Sequence, residues 1–83
     1  MPRKKKITVV ERKLKRQRAL GRAFLEDGII EIEQRQNPRE WFSTLVHEAL
    51  HMAFPGMDER SIEAAEGKIA DILWRAGVRR IHQ

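Results

Sequence analysis

A helix between two proline-containing breaks constrains the fold of this chain more than any other feature. Asn37-Pro38-Arg39-Glu40 fits a helix start, because Asn accepts an amide hydrogen bond, Pro lacks the amide otherwise left unpaired, and Glu favours the positive helix end. Pro55-Gly56 stops the segment. The apolar residues between these breaks share one helical stripe: Trp41, Phe42, Leu45, Ala49, Met52 and Ala53. The pattern predicts a helix from Pro38 to about Phe54.

A second helix is predicted close behind the first. Asp58 is a good N-cap, and Gly77 fits a left-handed C-cap, so this helix should end near Ala76. Its expected buried stripe contains Ile62, Ala65, Ile69, Ile72, Leu73 and Ala76.

Short strands are predicted before the first helix. Residues 7–11 are rich in β-branched types and predict a strand, whereas residues 12–22 fit either its extension or a basic helix. Asp27-Gly28 is a strong turn dipeptide and predicts a hairpin with arms at 23–25 and 29–33. In the second arm, Ile30 and Ile32 should face the core while Glu31 and Glu33 face water. We therefore expect an α+β fold, a β-hairpin followed by two packed helices.

The size and composition of the chain limit what it can be. With 83 residues we expect one domain over residues 7–83, preceded by a disordered basic arm at 1–6. The chain has no cysteine, so a disulfide and a cysteine zinc site are excluded, and any metal must use His, Asp or Glu. No apolar run suffices for a membrane span or a signal peptide, which predicts a cytoplasmic protein without membrane contact.

The net charge of +5 is unevenly distributed. Residues 1–22 hold ten Lys or Arg against one acid, a net +9, while residues 23–83 hold seven against eleven, a net −4. A basic arm of this kind is typical of contact with nucleic acid or another acidic surface, here through residues 3–22. A solvated tail is the other interpretation that the charge allows.

Two histidines and a glutamate within the first helix predict a metal site. His47 and His51 are four residues apart, so both imidazoles lie on one helical face and can bind one cation. Glu48 lies beside the metal rather than on it, where a general base for a metal-activated water belongs. The remaining residues from Phe42 to Phe54 carry no charge and supply a dry wall.

The segment Thr44-Leu45-Val46-His47-Glu48-Ala49-Leu50-His51-Met52-Ala53 resembles the extended signature of zinc peptidases. The layout of residues 23–80 resembles a minimal zincin, similar to short phage and prophage metallopeptidases and distantly to SprT-like domains. The resemblance implies Zn²⁺, a peptide or protein substrate, and the cytoplasm of a bacterial or phage-infected cell. It also implies an edge strand that binds the substrate backbone, for which Ile29, Ile30 and Glu31 stand in the expected position.

The third metal ligand is not fixed by the motif. A third His at the metzincin spacing is absent, because position 57 is Met. The gluzincin alternative needs a glutamate on the next helix, where Glu59, Glu66 and Glu63 are available. We favour Glu59, since it follows a short turn and can fold back towards His51, although an acid in a first helical turn is also ordinary.

These residues support two functional hypotheses. The first is a zinc-dependent peptidase in which Glu48 is the general base. The alternative is a non-enzymatic module that binds nucleic acid or another partner, with a structural metal or none. Arg79, Arg80 and His82 could stabilise a transition state only if the tail returns to the cleft, and Trp41 and Trp74 are expected to be packing residues. The oligomeric state stays open.

Overall fold

A computed structural model describes residues 6–14 and 20–80 of the chain. Three strands precede two helices: β1 (Thr8–Arg12), β2 (Gly21–Phe24), β3 (Ile29–Glu33), α1 (Pro38–Ala53) and α2 (Glu59–Arg75). The predicted α+β class is confirmed. The prediction of disorder at residues 1–6 falls, apart from Lys6, outside the described residues. No helix in the described part of the chain is long and apolar enough to cross a membrane.

Both helices begin where the capping residues predict. The Asn37 side chain accepts a hydrogen bond from the Glu40 amide at 2.8 Å, and the Asp58 side chain accepts one from the Ser61 amide at 2.7 Å. Gly77 follows α2 with a φ of 95°, as expected for a residue beyond a helix C-terminus. These ends rest on local side-chain to backbone bonds, which explains why the sequence alone locates them.

The sheet has the predicted hairpin but an unpredicted third partner. Strands β2 and β3 pair antiparallel around Gly28, which has a φ of 66°. Strand β1 pairs parallel with β3, so the strand order is β1-β3-β2 and β3 is central. The expectation that Ile29, Ile30 and Glu31 form a substrate-binding edge is therefore wrong. Both backbone edges of β3 are already hydrogen-bonded, and Ile30 is only 2% exposed.

Glu33 is buried, which corrects the prediction that it faces water. Strand β1 ends and β2 begins beside the end of β3, and Glu33 bonds to Leu14 after β1 and to Leu20 before β2. Its carboxylate accepts hydrogen bonds from the Leu14 amide at 2.8 Å and from the backbone and side chain of Arg35 at 2.9 Å. The Glu33 amide in turn donates to the Leu20 carbonyl. The ambiguous segment 12–22 thus contains the end of β1 and the start of β2, with residues 15–19 outside the described part.

Helix α1 is buried on two sides rather than along the single predicted stripe. One side packs on the sheet through Trp41, against Ile30 and Ile32. The other packs on α2, in a cluster formed by Phe42, Val46, Leu50, Ile62 and Ala70. A helix between two layers needs two apolar faces. The single predicted stripe does not coincide with these faces, so its residues Ala49 and Ala53 are exposed.

The buried face of α2 also differs from the prediction. Ile62 is fully buried as expected, but Ile69 and Ile72 are 38% and 64% exposed, whereas Ala70 is fully buried. The contact surface is therefore rotated around the helix towards Ala70, on the side where Glu66 also lies. This rotation brings Glu66 towards α1.

The buried carboxylate of Glu33 predicts acid sensitivity. Hydrogen bonds from the Arg35 side chain, then from the Arg35 and Leu14 amides, lower the pKa of Glu33 from 4.5 to about 2. The unfolded chain thus binds a proton at a higher pH than the native one, and stability is lost as pH falls from about 4.5 to about 2. We expect Glu33→Gln to lower the free energy of unfolding at neutral pH and to flatten its dependence on pH in this window.

Urea unfolding over a pH series measures this effect. The control is Glu63→Gln, which alters an exposed carboxylate on α2. Parallel pH profiles for wild type and Glu33→Gln would contradict the role given to Glu33.

Candidate metal centre

His47 and His51 converge on one carboxylate of α2. Their rings lie one helical turn apart on α1, with centroids separated by 5.0 Å. His47 Nε2 is 2.6 Å from Glu59 Oε1, and His51 Nε2 is 3.1 Å from Glu59 Oε2. The structure thus brings together the two histidines and the glutamate favoured as third ligand.

Glu59 reaches the histidines because the turn between the helices is short. The Phe54 amide closes α1 by bonding to the Leu50 carbonyl, and the Met57 amide bonds back to the Phe54 carbonyl at 3.0 Å. Asp58 then caps α2, so Glu59 is its first residue and lies beside the last turn of α1. The same turn that reverses the chain therefore positions the third candidate ligand.

Glu66, the second choice for third ligand, has a different position. Its Oε1 lies 2.9 Å from Nδ1 of His47, the ring nitrogen that does not face Glu59. A carboxylate on the second nitrogen of a metal-binding histidine fixes the tautomer and orientation of the ring. Glu63, the third choice, is exposed and contacts neither histidine among the described residues. Glu66 is thus placed to orient His47, while Glu59 completes the cluster.

The cluster carries more negative than positive charge. Burial lowers the pKa of His47, but the hydrogen bond that His47 donates to Glu66 and the charges of Glu48, Glu59 and Glu66 outweigh it and leave this pKa above its ordinary value. Three carboxylates around two imidazoles favour a bound cation.

The geometry of the cluster fits a small divalent ion. One ligating atom each from His47, His51 and Glu59 lies within 4.8 Å of the others. In a tetrahedral site with ligands at about 2.0–2.1 Å, ligating atoms lie about 3.3 Å apart, which is within this limit. Three protein ligands also leave one coordination position free, as in catalytic rather than structural zinc sites. Two nitrogens and one oxygen form a donor set that suits several divalent transition metals, Zn²⁺ among them.

Glu48 lies beside this cluster with a free carboxylate. The residue is only 8% exposed, yet its side chain makes no hydrogen bond or ion pair within the described part of the chain. Burial raises the pKa of Glu48, and the charges of His47 and His51 oppose that rise. Together with His47 and Glu66, it lines a cleft of about 670 Å³. A buried carboxylate with a raised pKa at a cleft suits proton transfer.

The wall opposite Glu48 is made by the start of β2. A Cβ atom added at Gly21 would lie 2.7 Å from Thr44 Cγ2 and 3.0 Å from Glu48 Cγ. Glycine therefore allows β2 to approach α1 closely at Glu48. Gly21 was not predicted as a cleft residue. It is a single glycine near the end of segment 12–22, which fitted either a strand or a helix.

Two cleft residues on α1 were also missed. Arg39 and Ser43 line the same cleft as His47, and they precede it by two turns and one turn. The sequence does place Arg39, Ser43 and His47 four residues apart, which puts them on one helical face.

The tail residues considered as transition-state stabilisers lie elsewhere. The Arg79 guanidinium stacks 3.5 Å over the Trp74 ring and donates to the Trp74 carbonyl. Arg80 pairs with Glu11 at 2.5 Å and covers the Trp41 ring. His82 lies outside the described residues. The predicted packing roles hold, because Trp41 is buried and Trp74 contacts Phe42.

Metal affinity should separate the three glutamates of α2. We expect wild type to bind one Zn²⁺, and Glu66→Gln to weaken binding by about 10- to 100-fold because His47 loses its orienting partner. Glu59→Gln should weaken it further, since a ligand is lost. Zinc should raise the melting temperature of wild type, and much less that of Glu59→Gln.

Competition with a chromophoric chelator measures these affinities. Glu63→Gln is the matched control, with the same change on the same helix at an exposed position. Equal affinities for Glu59→Gln and Glu63→Gln would contradict the ligand assignment.

The close approach at Gly21 predicts opposite effects for two glycine substitutions. Gly21→Ala should destabilise the protein by about 1–3 kcal/mol, because the new methyl group meets Thr44 and Glu48. Gly67→Ala should stabilise it by about 0.5–1 kcal/mol, since Gly67 lies inside α2 with nothing within 4 Å of an added Cβ. Urea unfolding measures both, and a neutral Gly21→Ala would contradict the packing argument.

Comparison with known proteins does not place the chain in a family. The chain matches no protein-family model, no curated protein and no solved structure. The resemblance of residues 44–53 to zinc peptidases therefore stays a prediction, and the function must be argued from the site.

Proposed function

We propose that this protein is a zinc-dependent peptidase. The observation that carries the proposal is Glu48, a residue only 8% exposed whose carboxylate has no described partner and opens on the same cleft as His47. A structural metal site needs no such group, whereas hydrolysis needs a base beside the ion. The resemblance of the motif segment to phage-encoded zinc peptidases supports the same assignment, with the cytoplasm of a bacterial or phage-infected cell as the place of action.

Each residue of the site has a role in this proposal. His47, His51 and Glu59 would hold the zinc ion, which when bound supplies Lewis-acid activation of water and of a peptide carbonyl. Glu48 accepts the proton from the attacking water and passes it to the leaving amine. Its raised pKa suits both steps, because a carboxyl group must first take up the proton and then release it. Glu66 keeps the His47 ring aligned throughout.

Strand β2 replaces β3 as the candidate substrate-binding strand. In the described sheet β2 is at an edge, and its first residue Gly21 lines the cleft together with Glu48. An extended peptide could add to this edge through backbone hydrogen bonds and pass directly beside the candidate base.

The alternative is a non-enzymatic module in which residues 3–22 contact nucleic acid or an acidic partner. It is favoured by the net +9 charge of residues 1–22. Within the described residues, however, Arg12 is paired with Glu31 at 2.7 Å, which compensates part of that charge. This alternative gives no role to Glu48.

Substitution of the base tests the proposal directly. Glu48→Gln should keep zinc binding, since Glu48 is not a candidate ligand, but lower peptide hydrolysis by roughly 100- to 10,000-fold. Removal of zinc by a chelator should abolish hydrolysis in wild type, and added zinc should restore it.

Cleavage of casein and of a peptide library, followed by mass spectrometry, measures the activity, and metal analysis gives the zinc content. The protein should be purified without a histidine tag. Equal cleavage by wild type and Glu48→Gln would remove the main support for a peptidase.

A further inference from the structure

The cleft extends away from the candidate metal centre along α1. Arg39, Ser43 and His47 recur every four residues, so they form one row on the helix surface, and all three line the cleft. Leu20 and Gly21 lie on the opposite wall. The cleft therefore continues from the metal centre towards the first turn of α1, where a bound chain would meet Arg39.

The two ends of this cleft differ in charge. The end at His47 carries the carboxylates of Glu48 and Glu66, whereas Arg39 is the one Arg or Lys among the described residues that line the cleft. Glu40 also lines the cleft near Arg39, but the two side chains form no ion pair. A single basic side chain thus faces the region through which a substrate would pass.

Arg39 is oriented by neutral partners. Its Nη1 donates to the Ser43 hydroxyl, and its guanidinium carbon lies 5.7 Å from the centroid of the Trp74 ring. No carboxylate in the described ranges is within ion-pair distance of it. A guanidinium held in this way keeps most of its donors free for the two oxygens of a carboxylate, a geometry that Arg suits better than Lys.

The position of the guanidinium sets the distance to the bond being cut. Because Arg39 donates to the Ser43 hydroxyl, its guanidinium lies beside Ser43. Ser43 precedes His47 by about one helical turn, which is about 6 Å along the axis. An extended peptide advances about 3.3 Å per residue, so the same distance corresponds to about two residues. We propose that Arg39 binds a substrate carboxylate about two residues from the scissile bond, either an Asp or Glu side chain or the C-terminus of the chain. This inference rests on the proposed peptidase function.

Peptide binding tests the inference without requiring cleavage. The protein is the zinc-loaded Glu48→Gln variant, and the probes are octapeptide pools with an uncharged fluorophore. Each pool has one fixed central position and uncharged residues elsewhere. The first pool has Glu there and blocked ends, the second has Gln and blocked ends, and the third has Gln and a free C-terminus. Fluorescence anisotropy gives the dissociation constants.

We expect the pools with a carboxylate to bind about tenfold more tightly than the neutral pool. Adding Arg39→Gln should abolish this preference, whereas Arg39→Lys should keep part of it because the charge remains. The matched control is Arg75→Gln, since Arg75 is exposed and pairs with Asp71 on its own helix. The first and third pools show whether the carboxylate is a side chain or a chain end.

The possible outcomes separate this inference from the proposed function. If Arg39→Gln and Arg75→Gln retain the same preference for carboxylate, Arg39 is not the binding group, whether or not wild type cleaves peptides. If only Arg39→Gln loses the preference while wild type cleaves nothing, the carboxylate site stands and the peptidase proposal fails. If the neutral pool binds as tightly as the two pools with a carboxylate, both when Arg39 is present and when it is replaced by Gln, the inference is overturned.

Discussion

Helix α1 is the element on which the whole arrangement depends, because it is the one described helix that packs on the sheet and on the other helix. Among the described strands and helices, α1 contacts β2, β3 and α2, whereas α2 contacts no strand. The buried core is accordingly split, with Ile30, Ile32 and Trp41 on one side of α1 and a separate cluster around Ile62 on the other. Each cluster is small, as expected for a chain of this length. The position of α2, and with it that of Glu59 and Glu66, therefore rests on one helix–helix contact and on the pair between Arg80, after α2, and Glu11 of β1.

A metal ion would act at the weak point of this arrangement. The candidate ligands come from both partners of the helix pair, His47 and His51 from α1 and Glu59 from α2. An ion bound to all three would cross-link the helices near the turn between them, while the apolar contact of Phe42 with Trp74 lies towards the other end. Without an ion, the carboxylates of Glu48, Glu59 and Glu66 crowd one region with only two imidazoles to balance them. This charge makes the site receptive to a cation, which would add a further link between the two helices.

Features that depend on near neighbours in the chain were predictable, and those that depend on distant contacts were not. Asn37 and Asp58 cap their helices, and Gly28 turns the hairpin, through bonds to residues a few positions away. The cluster of His47, His51 and Glu59 follows the same logic, because one turn of helix and one short loop bring the three together. By contrast, the burial of Glu33 depends on Leu14, 19 residues away. Packing between elements likewise determines the parallel pairing of β1 and the rotation of α2 towards Ala70. Hydrophobic periodicity does not predict such packing.

The central position of β3 decides how such a small chain can form a cleft with two walls. A hairpin alone would leave β3 free at one edge, but β1 occupies that edge and β2 becomes the strand nearest the candidate base. For β2 to serve as a wall it must approach α1 closely, and glycine at position 21 allows this approach, because an added Cβ would lie 2.7 Å from Thr44 Cγ2 and would force that side chain to shift. The chain thus supplies both walls itself, α1 with His47 and Glu48 on one side and the start of β2 on the other. The second wall is thus formed by a strand that carries no side chain at its point of contact with α1.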